Sequence, residues 1–334
     1  MGIIDICGNF PIMVWIIFLS VVTVLLALDL GVFNRKAHVI SYKEAGKWTT
    51  FWVGLSLVFS GIIFWLFKEG HVDNPHNYTP ETAFWKYIQG YLLELSLSVD
   101  NIFVIAVIFR SFSIPQKYQH RVLFWGIVGA VVFRALMIFF GIWLIQKVDW
   151  VTYLFGAFLI YTAYNMAFSG EESEFNPKES WVFKTMRKIM PITKGIHDQK
   201  LFVKKMGIWA ATPLFLALII IELTDVLFAL DSIPAILAIT ENPFIVFSSN
   251  IMAILGLRSM YFFLANVIDK FSYLKYSLAV ILLFVGIKMG LHHYLKANDL
   301  AIPEWLSLGV ILVSLTAGIL YSLYKNKQNE ALEK

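Results

Sequence analysis

Apolar stretches of about twenty residues recur along nearly the whole of this 334-residue chain, and no other feature narrows its fold as much. A segment of that length spans the hydrocarbon core of a bilayer as an α-helix. No water reaches that core to bond exposed N–H and C=O groups, so a crossing segment is either a helix or part of a closed barrel. These runs are about twice as long as a barrel strand. The chain therefore reads as an all-α, polytopic membrane protein. Composition agrees, with 15% charged residues against about 25% in a soluble domain.

Nine spans are expected, at 11–33, 46–67, 84–109, 121–145, 149–168, 209–239, 243–266, 272–291 and 303–324. The sixth is too long for one straight helix and is expected to begin or end in the interface. Trp48, Trp85, Trp150, Tyr153, Trp209, Trp305 and Tyr324 fall near span ends, as interfacial anchors do. Segments 34–47, 110–121, 169–208 and 267–275, with the tail from 325, hold twenty of the twenty-seven Lys and Arg residues. The positive-inside rule then puts the N-terminus outside and the C-terminus in the cytoplasm, in a bacterial-type inner membrane. The net charge of +4 is small and speaks to orientation, with no nucleic-acid partner expected. Cys7, the single cysteine, excludes an internal disulfide framework, and a cleavable signal peptide is not expected. The long loop 169–208 is expected to carry a short amphipathic helix with Trp181, Phe183 and Met186 toward lipid, or to be a plain connector. His197 and Asp198 in this loop are weak evidence of any chemistry.

Two spans carry acids that lipid disfavours: "YLLELSLSVDNIF" contains Glu94 and Asp100, and "IELTDVLFALDSIPAI" contains Glu222, Asp225 and Asp231. A charge at the centre of a spanning helix costs about 3 kcal/mol on insertion scales and more in simulations. Shifted by 131 residues, Glu94 falls on Asp225, Asp100 on Asp231 and Asn101 on Ser232. In the following spans "VFRALMIFFG" pairs with "GLRSMYFFLA", placing Arg134 on Arg258, and "FLIYTAYNM" pairs with "ILLFVGIKM", placing Asn165 on Lys288 and Met166 on Met289. Three spans per copy would invert the second copy, and inverted repeats characterise secondary transporters with a site near mid-membrane. The expected organisation is a two-span segment over 1–83, a first repeat over 84–168 and the cytoplasmic loop 169–208. A second repeat over 209–291 and a terminal span with its tail over 292–334 complete it.

On an ideal helix Glu94, Ser98 and Asn101 share one face, and Glu222, Asp225 and Ser232 share another. Asp100 and Asp231 lie roughly a third of a turn away, so all converge only if helices are interrupted or several helices surround the site. Pro234 is an expected break, because it cannot bond to the carbonyl of Leu230. Carboxylate, amide and hydroxyl donors suit a hard cation of the Mg, Ca or Mn type, with Glu94, Asp100, Asn101, Glu222, Asp225 and Asp231 as candidate ligands. Met166 and Met289 are softer donors, or simply packing residues. Asp29, Ser98, Ser232, Arg134, Arg258 and Lys288 are candidate additional or charge-balancing groups, and Ser96 and Thr224 are equally well read as interhelical hydrogen bonders. A structural alternative is that Arg134 and Arg258 neutralise acids as plain ion pairs. It leaves an excess of acids, which calls for a cation or protons.

"LALDLGVFNRKAH", "LELSLSVDNIFV", "ATPLFLALIIIELTDVLFALDSIPAILAIT", "SNIMAILGLRSMYFFL" and "LAVILLFVGIKM", in that order along the chain, resemble the TerC family of integral membrane proteins, particularly its Alx-like branch. The resemblance implies a multi-span protein with paired acidic motifs, in a family associated with manganese efflux, tellurite resistance and membrane-protein assembly. The expected function is export of a divalent ion, manganese(II) as cargo, in exchange for protons. No organic cofactor and no enzymatic activity are expected, and no phosphate-binding GxxxxGK[ST] loop for ATP-driven pumping is present. Alternatives are export of calcium or a basic amino acid, or an assembly or tellurite-resistance role without transport.

Overall fold

The computed structural model describes residues 4–28, 41–148, 150–168, 181–193, 195–196, 198–205, 208–265, 274–291, 294, 298 and 302–332. Among these residues, ten helices and one hairpin follow in the order α1 (Ile4–Leu28), α2 (Tyr42–Lys68), α3 (Pro80–Ser111), α4 (Gln116–Lys147), α5 (Val151–Phe168), α6 (Trp181–Ile189), β1 (Phe202–Lys205), β2 (Ile208–Ala211), α7 (Pro213–Leu237), α8 (Pro243–Leu264), α9 (Leu274–Gly290) and α10 (Glu304–Leu332). Among the described residues, α2, α3, α4, α5, α7, α8 and α10 are long and apolar enough to cross a membrane. At the two other expected spans, the apolar part of α1 covers Ile12–Leu28 and α9 has 17 residues, slightly short of the twenty or so that a bilayer needs.

Local sequence explains where the helices begin. Ser41 accepts a hydrogen bond from the Glu44 amide at the start of α2, and Thr79 accepts one from Thr82 at the start of α3. Asn242 accepts from both Phe244 and Ile245 to cap α8. Each satisfies amides that have no partner within the helix. Proline opens α3, α7 and α8, where its missing N–H costs nothing.

The innermost helix is α8, every residue of which from Phe244 to Phe262 is buried. It packs against α2, α3 and α4, while α4 also packs on α7, α5 on α9, and α10 on α3 and α9. The α5–α9 contact is tight. A Cβ on Gly156 would lie 3.0 Å from the Gly286 carbonyl, and one on Gly286 would lie 2.9 Å from the Gly156 carbonyl. Most of the outward residues are large and apolar, among them Leu136, Phe140, Leu227, Val313 and Leu320. Trp85, Trp150, Tyr153, Trp209, Trp305 and Tyr324 are exposed as well.

Two apolar clusters divide the interior. One gathers Leu93, Ala130, Ile138, Ala229, Ile233 and Ile254; the other gathers Ile102, Ile105, Leu123, Leu216, Ile221 and Leu257. On α3 the stretch 94–101, and on α7 Glu222 and Asp225, fall between the buried residues of the two clusters, forming a polar layer, while Asp231 sits among α7 residues of the first cluster.

Several expectations are corrected. Residues 209–211, read above as the start of the sixth span, belong instead to the second strand of an antiparallel hairpin, Ile208–Ala211, with Phe202 opposite Ala211. The spanning helix begins only at Pro213. The loop does carry a short helix, α6, yet Phe183 and Met186 pack against the second apolar cluster, with the Phe183 ring 6.0 Å from that of Phe112. Pro234 does not break α7, which runs through it to Leu237. Asp29 and His197 lie outside the described residues.

Candidate functional site

The polar layer is organised by Arg134, a guanidinium only 1% exposed in the middle of α4. Its Nη1 bonds to the Glu94 carboxylate of α3. Nη2 donates to Asp225 Oδ1 at 3.1 Å and Nε to Asp225 Oδ2 at 3.4 Å, a two-point grip on the carboxylate of α7. Nη1 also reaches Ser232 Oγ at 3.3 Å and Asn250 Oδ1 at 3.2 Å. Asn101 adds a bond from its amide nitrogen to Asp225 Oδ1 at 3.4 Å. A planar fork of donors suits this task in a way that an ammonium does not.

Two small cavities flank this cluster and share Asn101 and Phe228 in their walls. The first lies toward the α4 N-terminus and is lined by Asn101, Thr224, Asp225 and Phe228 among apolar neighbours. The second is lined by Asp100, Asn101, Arg134, Asp231, Ser232 and Met166, together with Leu97, Phe228 and Leu282. Asp100 comes from α3 and Asp231 from α7, so two helices contribute acids to one chamber. Thr162 of α5 donates to Asp231 Oδ1 at 3.0 Å and fixes that carboxylate.

One guanidinium serves two carboxylates, Glu94 and Asp225, and Asp100 and Asp231 border the same space. One carboxylate oxygen of Glu94, Oε2, is buried without a hydrogen-bond partner among the described residues. Negative charge gathered away from water is relieved either by protons or by a cation.

The six candidate ligands are thus divided three ways. Glu94 and Asp225 hold Arg134; Asp100, Asp231 and Asn101 line the second cavity; Glu222 stands apart. Its carboxylate rests on the backbone of α4 at Gly129, where any Cβ would overlap it, and its Oε2 is likewise buried without a partner. No group of three or more His, Cys, Asp or Glu residues is close enough to hold a metal among the described residues. Ser98 and Ser96 are buried in α3, and Thr224 bonds to the Ile220 carbonyl at 2.7 Å. Arg258 is buried in α8, but the ion pairs to Glu94 and Asp225 are both made by Arg134. Lys288 points elsewhere, donating to Ser307 Oγ of α10 at 3.2 Å. Asn250 and Thr162 belong to the site and escape the sequence reading. In the repeat alignment Asn250 falls opposite Gly126 and Thr162 opposite Val285, so a search for paired polar positions passes over both.

A second polar cluster ties α10 to the bundle. Lys86 pairs with Glu304 at 2.8 Å and donates to the Ile239 carbonyl at 2.6 Å, while Gln89 donates to the Glu304 carboxylate at 2.9 Å.

Comparison with known proteins places these residues in a family context. The pattern of the integral membrane protein TerC family matches residues 79–330. An uncharacterised membrane protein of Myxococcus xanthus is 47% identical over 313 residues, covering 94% of this chain and 92% of its own. A protein of Escherichia coli strain K12, Alx, whose name proposes a membrane-bound redox modulator, is 43% identical over 319 residues, 95% of this chain and 96% of its own. An uncharacterised membrane protein of Rickettsia bellii is 42% identical over 94% of this chain and 98% of its own. No solved structure gives a significant match.

Proposed function

The chain belongs to the TerC family of integral membrane proteins, and on that premise we propose that it is a secondary transporter exporting a divalent metal ion, manganese(II), in exchange for protons. The observation that carries this reading is the second cavity. Asp100 and Asp231, from different helices, border one chamber beside an Arg134 cluster in which one guanidinium serves two carboxylates. Arg134 holds Glu94 and Asp225 in position, and Asp100, Asp231, Asn101 and Ser232 offer oxygens to the cargo. Asp225 and Thr224 line the approach from the other cavity. A carboxylate that takes up a proton gives up its hold on a cation, so proton entry would drive release.

Packing supports the inverted-repeat reading. If α3, α4 and α5 correspond to α7, α8 and α9, the α3–α8 contact maps onto the α7–α4 contact and the α5–α9 contact maps onto itself. All three contacts are made. Such reciprocity is what a two-fold relation between opposed halves requires, and it would let the halves rock about a common site. With the loops rich in Lys and Arg in the cytoplasm, the cavity beside Thr224 faces the cytoplasmic half of the bundle.

Export of calcium or of a basic amino acid, and an assembly or tellurite-resistance role, are the competing readings. A thiol-based redox role would have to work without an internal dithiol, since Cys7 is the single cysteine. Metal uptake into inverted vesicles separates these. Wild-type vesicles are expected to accumulate Mn²⁺, more so with a proton gradient, and Asp231→Asn vesicles are not. Equal accumulation by both would remove Asp231 from the mechanism, and no metal movement by the wild type would favour the assembly role.

A further inference from the structure

Of the two methionines that the repeats align, one lines the acidic cavity and the other does not. Met166 of α5 borders the same chamber as Asp100, Asn101, Asp231 and Ser232. Met289, its counterpart on α9, is 3% exposed and packed into the first apolar cluster. Among the described residues lining that chamber, Met166 carries the one sulfur. We propose that the Met166 thioether is the selectivity element of the cavity, favouring transition-metal ions of the manganese type over Ca²⁺ and Mg²⁺. The inference rests on the cation-carrier reading above and adds to it what sets the choice of ion.

The physical reason lies in what each ion demands. Ca²⁺ takes six to eight oxygen ligands, and Mg²⁺ keeps a near-ideal octahedron of oxygens, several of them waters. A thioether on the wall supplies neither an oxygen nor an anchor for a water. The remaining apolar wall, Leu97, Phe228 and Leu282, cannot make good the deficit. First-row transition ions accept softer donors, with affinity rising along the series, so the sulfur is a weak ligand for Mn²⁺, a better one for a softer ion such as Cd²⁺, and none for Ca²⁺ or Mg²⁺. Discrimination of this kind works by denying the wrong ion its ligands as much as by holding the right one. Met166 is only partly buried and packs on the first apolar cluster, so a purely packing role is the reading to be excluded.

The test uses the purified full-length chain in liposomes, with Mn²⁺, Ca²⁺ and Cd²⁺ as probes in competition. Met166→Leu keeps the volume and removes the sulfur, a swap that costs little stability. It is expected to reduce the preference for Mn²⁺ over Ca²⁺ about tenfold and to penalise Cd²⁺ most, a graded loss that follows softness. Met166→Gln, which adds an oxygen, is expected to make Ca²⁺ an effective competitor, and Met289→Leu is expected to leave the ion order unchanged. Uniform slowing of all three ions, an unchanged Mn²⁺ to Ca²⁺ ratio in Met166→Leu, or an equal shift in Met289→Leu would overturn the assignment of Met166 while leaving the transport reading standing. A wild-type chain that moves none of the three ions would overturn both.

Discussion

Arg134 is held by carboxylates from two other helices, and its value lies in the cost of leaving either side alone. Two buried acids without their guanidinium would be strongly unfavourable, since breaking a buried ion pair by removing one partner costs about 3–5 kcal/mol. Arg134→Met is accordingly expected to lower thermal stability in detergent by that order and, on the proposed function, to abolish transport. Arg134→Lys keeps the charge but cannot grip Asp225 at two points while also reaching Glu94. It is expected to fold with intermediate stability and to transport at least tenfold more slowly, which melting curves and vesicle uptake on the same preparation would check. The acids of the site are visible in the sequence because hydrocarbon makes any buried charge conspicuous. Asn250 and Thr162 are not, because a neutral polar side chain within a span is common and neither has a polar counterpart in the other repeat.

Among the elements, α5 and α9 approach so closely that only glycine serves at the crossing. Gly286→Val would drive a side chain into the α5 backbone and Ile160, whose Cγ1 already lies 2.9 Å from the position of a Cβ. Backbone atoms cannot step aside as a flexible side chain can, so the helices must separate. The expected outcome is a loss of stability of a few kcal/mol, while Gly54→Ala on α2, where nothing lies within 4 Å of a Cβ, is expected to be neutral; parallel melting curves compare the two. Most element positions were legible from hydropathy, because span length is set by the bilayer. The hairpin was not: Ile208–Ala211 is apolar and adjoins a span, and hydropathy cannot tell a short strand from the first turn of a helix. The signal was nevertheless there, since Thr212 followed by Pro213 marks a helix start. The expected break at Pro234 failed for a related reason. Only three residues of α7 follow it, less than one turn, so no second length of helix remains for a kink to redirect.

At the scale of the whole molecule, two cavities meet at a common partition formed by Asn101 of α3 and Phe228 of α7. The amide of Asn101 is engaged with Asp225, whereas Phe228 stands as a ring between the chambers. The same phenyl ring thus borders both chambers, and no hydrogen bond holds it in place. Phe228→Ala is expected to merge the chambers into one unguarded conduit. On the proposed transport reading, manganese(II) would then leak down its gradient whether or not protons flow the other way, which a fluorescent metal indicator sealed inside vesicles would register as uptake indifferent to pH.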